Sequence, residues 1–225
     1  MIKTRIAALS LALAASQVQA QSLDNIFAGF AGTPYEVTIT NLTLGQSFTP
    51  QLVATHRGSE MMFSLGQPAS AGLERLAEGG DTSGVLEELG NRVAYATTID
   101  GLLGPGQSVT TTVMATGQEK FFSVAAMLLP TNDTFMAANG VKLPTQGKVT
   151  YMVPAYDAGT EANDQDCMNI PGPTCGGAPF SDPAEDDEGF VHISNGFHDL
   201  GGDTLSPAAY DWRNPVARVV VKRLN

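Results

Sequence analysis

The sequence predicts an all-β fold, an antiparallel β-sandwich with one or two short helices inserted between strands. Eight runs of alternating or β-branched residues, at 35–41, 51–56, 92–99, 108–115, 120–129, 148–155, 189–194 and 216–224, follow one another as the strands of a sandwich or barrel do. One stretch, 70–89, repeats its apolar residues at helical spacing, and strand runs flank it on both sides. Regular strand–helix alternation is therefore missing, which disfavours a doubly wound parallel sheet.

Taken in order, the chain of 225 residues opens with Lys3 and Arg5, an apolar run over 6–15, and Val18-Gln19-Ala20, the small-x-small form that a signal peptidase accepts. Residues 1–20 are expected to be a signal peptide cleaved after Ala20; about ten apolar residues fall short of the ~20 a membrane-spanning helix needs. A lead-in segment, 21–34, precedes the sandwich domain, 35–225. The domain starts on Tyr35-Glu36-Val37-Thr38-Ile39-Thr40-Asn41, whose alternation suits a half-buried strand.

Within the helical insert, Leu73, Leu76 and Ala77, then Val85, Leu86 and Leu89, recur around Gly79-Gly80-Asp81-Thr82, which reads as two short helices with a capped break. Further on, Gly104-Pro105-Gly106 is a strong turn signal between two strand runs, and a hairpin is expected there. The longest irregular stretch, 157–188, holds Pro171, Pro173, Pro179, Pro183 and both cysteines; loops that long are usually functional or disordered. Cys167 and Cys175 are close enough to close a small loop, and an exported chain meets an oxidising compartment, so one disulfide is expected.

Charge narrows the partners. The formal net charge is −11, and −13 once Lys3 and Arg5 leave with residues 1–20. Such a field repels nucleic acid and anionic membrane and favours cations. Between Val149 and Trp212 there is no lysine or arginine, but there are twelve acidic residues. Solvation accounts for most of that run. A narrower subset is more specific: Asp157-Ala158-Gly159-Thr160-Glu161 directly follows one strand run, and Asn132 and Asp133 follow another. Two such loops at one sandwich edge can share a hard cation, with calcium the natural choice for oxygen ligands.

Several segments resemble the spondin domain, the module named for the N-terminal region of F-spondin, in a bacterial single-domain form. They are 35–43 with Gln46 to Pro50, Leu76-Ala77-Glu78-Gly79-Gly80-Asp81, Met127-Leu128-Leu129-Pro130-Thr131-Asn132-Asp133, Tyr156 to Glu161, and Asp211-Trp212-Arg213-Asn214-Pro215-Val216-Ala217-Arg218-Val219. The resemblance implies a C2-like sandwich with a calcium ion at one end and a role in extracellular binding or adhesion. Residue by residue, the family's Pro-Ser-Pro-Asp-Trp loop falls on 130–134, keeping Asp133 but losing the Trp. Its Asp-Ala-Gly-Thr-Asp loop falls on 157–161, with Glu161 in place of the last Asp. The expected metal ligands are thus Asp133, Asp157 and Glu161. The animal proteins carry further cysteines and thrombospondin repeats that this chain lacks, so their matrix and neural functions are not carried over.

The remaining chemistry is weaker. His192 and His198 are six residues apart, which matches no strong ligand motif, and His192 reads as a solvent-facing or hydrogen-bonded residue of its strand. Trp212 reads as core packing at a sandwich edge. No Gly-x-Ser-x-Gly, His-Glu-x-x-His or phosphate-binding loop is present, so an enzyme is not expected. The alternatives are a carbohydrate-active hydrolase using loop carboxylates and a metal-free structural domain. The expectation is a secreted or periplasmic calcium-binding module that recognises an extracellular protein or glycan, its identity and the oligomeric state being open.

Overall fold

Residues 121–129, Phe-Phe-Ser-Val-Ala-Ala-Met-Leu-Leu, are apolar at all positions but one, the pattern of a strand covered on both faces. In the computed structural model they form β6, in the middle of the larger of two sheets. The structure describes residues 32–180, 187–200 and 205–224. The expected signal peptide, 1–20, and most of the lead-in segment lie outside the described residues.

The order is β1 (Thr33–Asn41), β2 (Ser47–Phe48), β3 (Gln51–His56), α1 (Ala71–Gly79), α2 (Ser83–Leu89), a 3-10 turn (Gly90–Arg92), β4 (Val93–Ile99), β5 (Ser108–Ala115), β6 (Phe121–Leu129), β7 (Thr134–Lys142), β8 (Lys148–Val153), β9 (Ala155–Asp157), β10 (His192–Ile193), α3 (Pro207–Tyr210) and β11 (Ala217–Arg223). One sheet runs β5-β1-β11-β8; the other runs β10-β9-β7-β6-β3-β4, with β2 added against β6. All pairings are antiparallel. This is the all-β sandwich expected.

Between the sheets, Val37, Ile39, Val113, Val219 and Val221 of the smaller sheet meet Val53, Phe122, Val124, Ala126 and Leu128 of the larger. The alternate residues of the larger sheet, Leu52, Ala54, Ala125, Phe135 and Ala137, face away and pack under Leu73, Leu76, Ala77, Val85 and Leu89 of the two helices. That third layer explains why β6 is apolar on both faces. Burying one such Phe or Leu stabilises the fold by about 1.5–3 kcal/mol.

The helical insert forms as its residues dictate. Ser70 caps α1, its Oγ accepting the Leu73 N–H at 3.2 Å. Gly80 ends it with φ +68°, its N–H donating to the Arg75 and Leu76 carbonyls. His56, on the helix-facing side of β3, is buried: its Nδ1 lies 2.7 Å from the Arg57 carbonyl and its Nε2 2.8 Å from Ser123 Oγ.

Three local expectations need correction. The 102–107 turn does not close a hairpin, because β4 and β5 belong to different sheets. Buried Leu103 instead exchanges both backbone hydrogen bonds with Phe48, and the chain crosses from one sheet to the other. Run 148–155 is two strands: Pro154, which has no N–H for a ladder, stands where the chain leaves β8 and enters β9 in the opposite sheet. Finally, β7 was not anticipated. Its Thr-Phe-Met-Ala-Ala-Asn-Gly-Val-Lys is poor in β-branched residues, since Ala137 and Ala138 are squeezed between layers.

Candidate metal centre

The sheet crossing at Pro154 puts Asp157 at the end of β9, between two neighbours. Thr134 pairs with it from β7 and His192 from β10. Directly paired residues carry their side chains on the same face, so Asp157 and His192 must meet. Asp157 Oδ1 lies 3.3 Å from His192 Nε2. The approach is not aligned as a hydrogen bond, and the buried Nε2 makes none with any described residue. His192 Nδ1 lies 3.1 Å from the Ile193 carbonyl, to which it donates.

Asp133 immediately precedes β7, in the loop that the cis Leu129–Pro130 peptide opens. Its carboxylate is fully buried, and Oδ2 accepts the Thr160 N–H at 2.8 Å and the Glu161 N–H at 3.2 Å. Oδ1 is buried with no hydrogen-bond partner among the described residues. Loop 157–161 is thereby clamped onto Asp133. Glu161, at its end, is 2% exposed, as is Asp157. The structure thus brings the two acidic loops of the sequence together at one corner of the sandwich.

Glycine makes the corner possible. Gly159 has φ +67°, and a Cβ there would lie 2.4 Å from the Phe190 carbonyl oxygen. The gap it leaves admits the 187–191 segment, where Gly189 N–H donates to the Gly159 carbonyl at 2.8 Å. Glu188 is delivered to the centre in this way. Asn163 Nδ2 donates to Asp157 Oδ2 at 2.9 Å and to Glu188 Oε1 at 3.0 Å, tying the two carboxylates together. One ligand atom each from Asp157, Glu188 and His192 lie within 4.8 Å of one another, an arrangement able to hold a metal ion.

Electrostatics follow from burial. Desolvation pushes the Asp133 carboxyl well above the usual 3.8, and the Asp157 charge pushes it further; the Thr160 and Glu161 N–H groups pull the other way. Burial also raises Asp157, against the Asn163 hydrogen bond and His192. Asp157 lies in the stretch between 149 and 212 that holds no lysine or arginine.

The rest of the acidic run is used differently. Asp164 Oδ1 accepts the Asp166 N–H at 2.8 Å and Asp166 Oδ1 accepts the Met168 N–H at 2.9 Å, side-chain turns that shape the loop. Asn132, a possible oxygen ligand by sequence, is spent on the same loop, donating to Asp164 Oδ1 and accepting from Gln165 N–H. Cys167 and Cys175 are joined in the expected disulfide. Trp212 is buried against Phe197, with ring centroids 6.3 Å apart.

Residues 40–166, more than half of the chain, match the family model Spondin_N. The chain belongs to the spondin N-terminal domain family. The match contains Asp133, Asp157 and Glu161 and stops short of Glu188 and His192. Spondin membership, together with the disulfide, marks an extracellular domain. No curated protein matches the chain. No helix among the described residues is long and apolar enough to cross a membrane.

Sequence reasoning named Asp133, Asp157 and Glu161 but passed over Glu188 and His192 as partners of Asp157. Glu188 was one of twelve acids in a run, and His192 followed no ligand spacing. The pairing of β10 with β9 makes His192 a neighbour of Asp157 and the Gly189–Gly159 hydrogen bond brings in Glu188, and a two-residue strand leaves no periodic signal.

Proposed function

We propose that this spondin domain is an exported, calcium-stabilised module for extracellular recognition or adhesion, released from a signal peptide after Ala20. The observation that carries the calcium reading is the buried Asp133 carboxylate, its Oδ1 without a hydrogen bond among the described residues, with the Asp157 charge acting on it and with Glu161, 2% exposed like Asp157, donating its backbone N–H to Oδ2. Burying like charges together costs far more than a hydrogen bond returns unless something cationic balances them. The donors on offer are hard oxygens, which suit calcium. Asp133, Asp157 and Glu161 would hold the ion, and its charge would offset their mutual repulsion.

Bound there, calcium would clamp loop 157–161 to the β6–β7 loop, and so hold the corner from which 158–191 departs. That segment carries exposed apolar side chains, among them Met168, Phe180 and Phe190, with Ile193 just beyond. Apolar groups displayed on a braced loop suit a protein or glycan partner. Extracellular calcium modules work at about 10⁻⁴–10⁻³ M, so the clip would be filled only outside the cell.

The test is thermal unfolding of residues 21–225 in chelator and then in millimolar calcium or magnesium. A midpoint raised by calcium and not by magnesium supports the reading, and a midpoint indifferent to both removes it. We assign the domain no catalytic activity; turnover of polysaccharides or model esters that persists through purification would reverse that assignment. N-terminal sequencing of the exported protein should begin at Gln21.

A further inference from the structure

The oxygen set proposed for calcium leaves two side chains of the corner unexplained. His192 has 21% of its side chain exposed and Glu188 is exposed, whereas Asp133 and Glu161 are buried. We propose that Asp157, Glu188 and His192 form a second cation site, for a first-row transition ion of the zinc type, with the Asp157 carboxylate shared between it and the inner calcium site. The proposal rests on the calcium reading only for that sharing.

The imidazole is held as a metal ligand is held. Its Nδ1–H donates to the Ile193 carbonyl at 3.1 Å, which puts the lone pair of a neutral ring on Nε2. That lone pair faces Asp157 Oδ1 at 3.3 Å without a hydrogen bond. Two lone pairs so close repel unless a cation or proton stands between them. A zinc-type ion takes imidazole nitrogen together with carboxylate oxygen, whereas calcium has little use for nitrogen.

The site is also braced from outside. Asn163 holds one oxygen of each carboxylate, Gly189 N–H fixes the backbone beside Glu188, and the Phe190 ring packs on His192 with centroids 5.4 Å apart. Such supports set the direction of ligands before an ion arrives. Charge points the same way: the loops that carry Asp133, Asp157, Glu161 and Glu188 meet at one corner, and Glu188 acts on both Asp133 and Asp157. One divalent ion would leave that group negative.

Calorimetric titration of residues 21–225 with zinc, in calcium-free and in calcium-saturated buffer, tests this, with cobalt as a visible-absorption probe. Zinc should bind in both buffers, and cobalt should give an absorption band. His192→Ala should weaken zinc at least tenfold, erase the cobalt band, and leave the calcium-induced rise in midpoint intact. Glu188→Gln, which keeps the fold's hydrogen bond to Asn163, should weaken zinc more than calcium. Zinc that binds only by expelling calcium, or a His192→Ala change that weakens calcium as much as zinc, would mean one shared site and overturn the proposal; so would zinc binding unaffected by His192→Ala. Zinc binding without any calcium response would instead sink the calcium reading and leave this one standing.

Discussion

The Asp133 carboxylate and the Thr160 backbone meet at 2.8 Å, so a buried acid on one loop fixes the conformation of the next. Asp133 therefore has two separable tasks, accepting backbone N–H groups through Oδ2 and presenting charge through Oδ1. Asp133→Asn keeps an acceptor and removes the charge. It should unfold in chelator at a midpoint no lower than the parent and lose the calcium-induced rise. Asp133→Ala removes the acceptor as well, stranding the Thr160 and Glu161 N–H groups, and should cost about 1–3 kcal/mol in denaturant titration. If both variants keep the calcium rise, Asp133 is not a ligand.

Acidity should have the opposite effect from that usual for paired carboxylates. The unfolded chain releases the Asp133 and Asp157 protons near the ordinary 3.8, whereas the folded protein, where burial raises both, holds them to higher pH. Over that interval the folded state binds more protons, so their contribution to stability falls as pH rises. In chelator, the gap in midpoint between Asp133→Asn and the parent should be small near pH 4 and widen in favour of the variant toward about pH 7. Calcium should close that gap at neutral pH. A gap constant across the range would show that Asp133 does not titrate there.

Strands and core were largely legible because the alternation of β1, β3 and β5 is written in β-branched residues, and the runs at 51–56 and 108–115 coincide with β3 and β5. The Ser70 and Gly80 caps of α1 were equally local signals. What escaped depends on contacts distant in sequence. β7 is a strand because β6 and β9 flank it and Phe135 packs under the helices, not because Ala137 or Gly140 favours one. Likewise, Leu103 ends in the core, so a turn that looks like a hairpin becomes a crossing between sheets. At the candidate centre, carboxylates on consecutive loop positions could be read directly, but His192 enters only through register with Asp157.

Glycine substitution in α1 separates propensity from packing. At an open helical site Gly→Ala stabilises by up to about 1 kcal/mol. At Gly72, however, a Cβ would lie 2.6 Å from the Gly84 carbonyl carbon and 2.7 Å from the Val85 nitrogen, backbone atoms that cannot step aside singly. It would also press on Glu88, whose carboxylate accepts from Gly72 N–H and Ser70 Oγ at 2.7 Å. Overpacking should win, so Gly72→Ala is expected to destabilise by about 1–3 kcal/mol in denaturant titration. Stabilisation would mean that α1 and α2 can separate without loss.

The disulfide distinguishes stability of the long loop from that of the metal centre. Cys167 and Cys175 are eight residues apart, and closing so short a loop removes about 2–3 kcal/mol of unfolded-chain entropy. Cys167→Ser/Cys175→Ser should lower the unfolding free energy by about 2–3 kcal/mol at most, and the denaturant midpoint with it. The loop keeps other anchors in the folded state: Ile170 is fully buried in the main core, and its carbonyl accepts the Gly177 N–H at 2.9 Å. Asp133, Asp157 and Glu161 all precede Cys167, and their hydrogen bonds to one another's loop do not pass through the disulfide. The double variant should therefore show the full calcium-induced rise from its lower starting midpoint. A rise reduced along with the midpoint would place the loop between 167 and 175 among the supports of the centre, through Asn132, Asp164 and Asn169, which hydrogen bond in series from the β6–β7 loop into it.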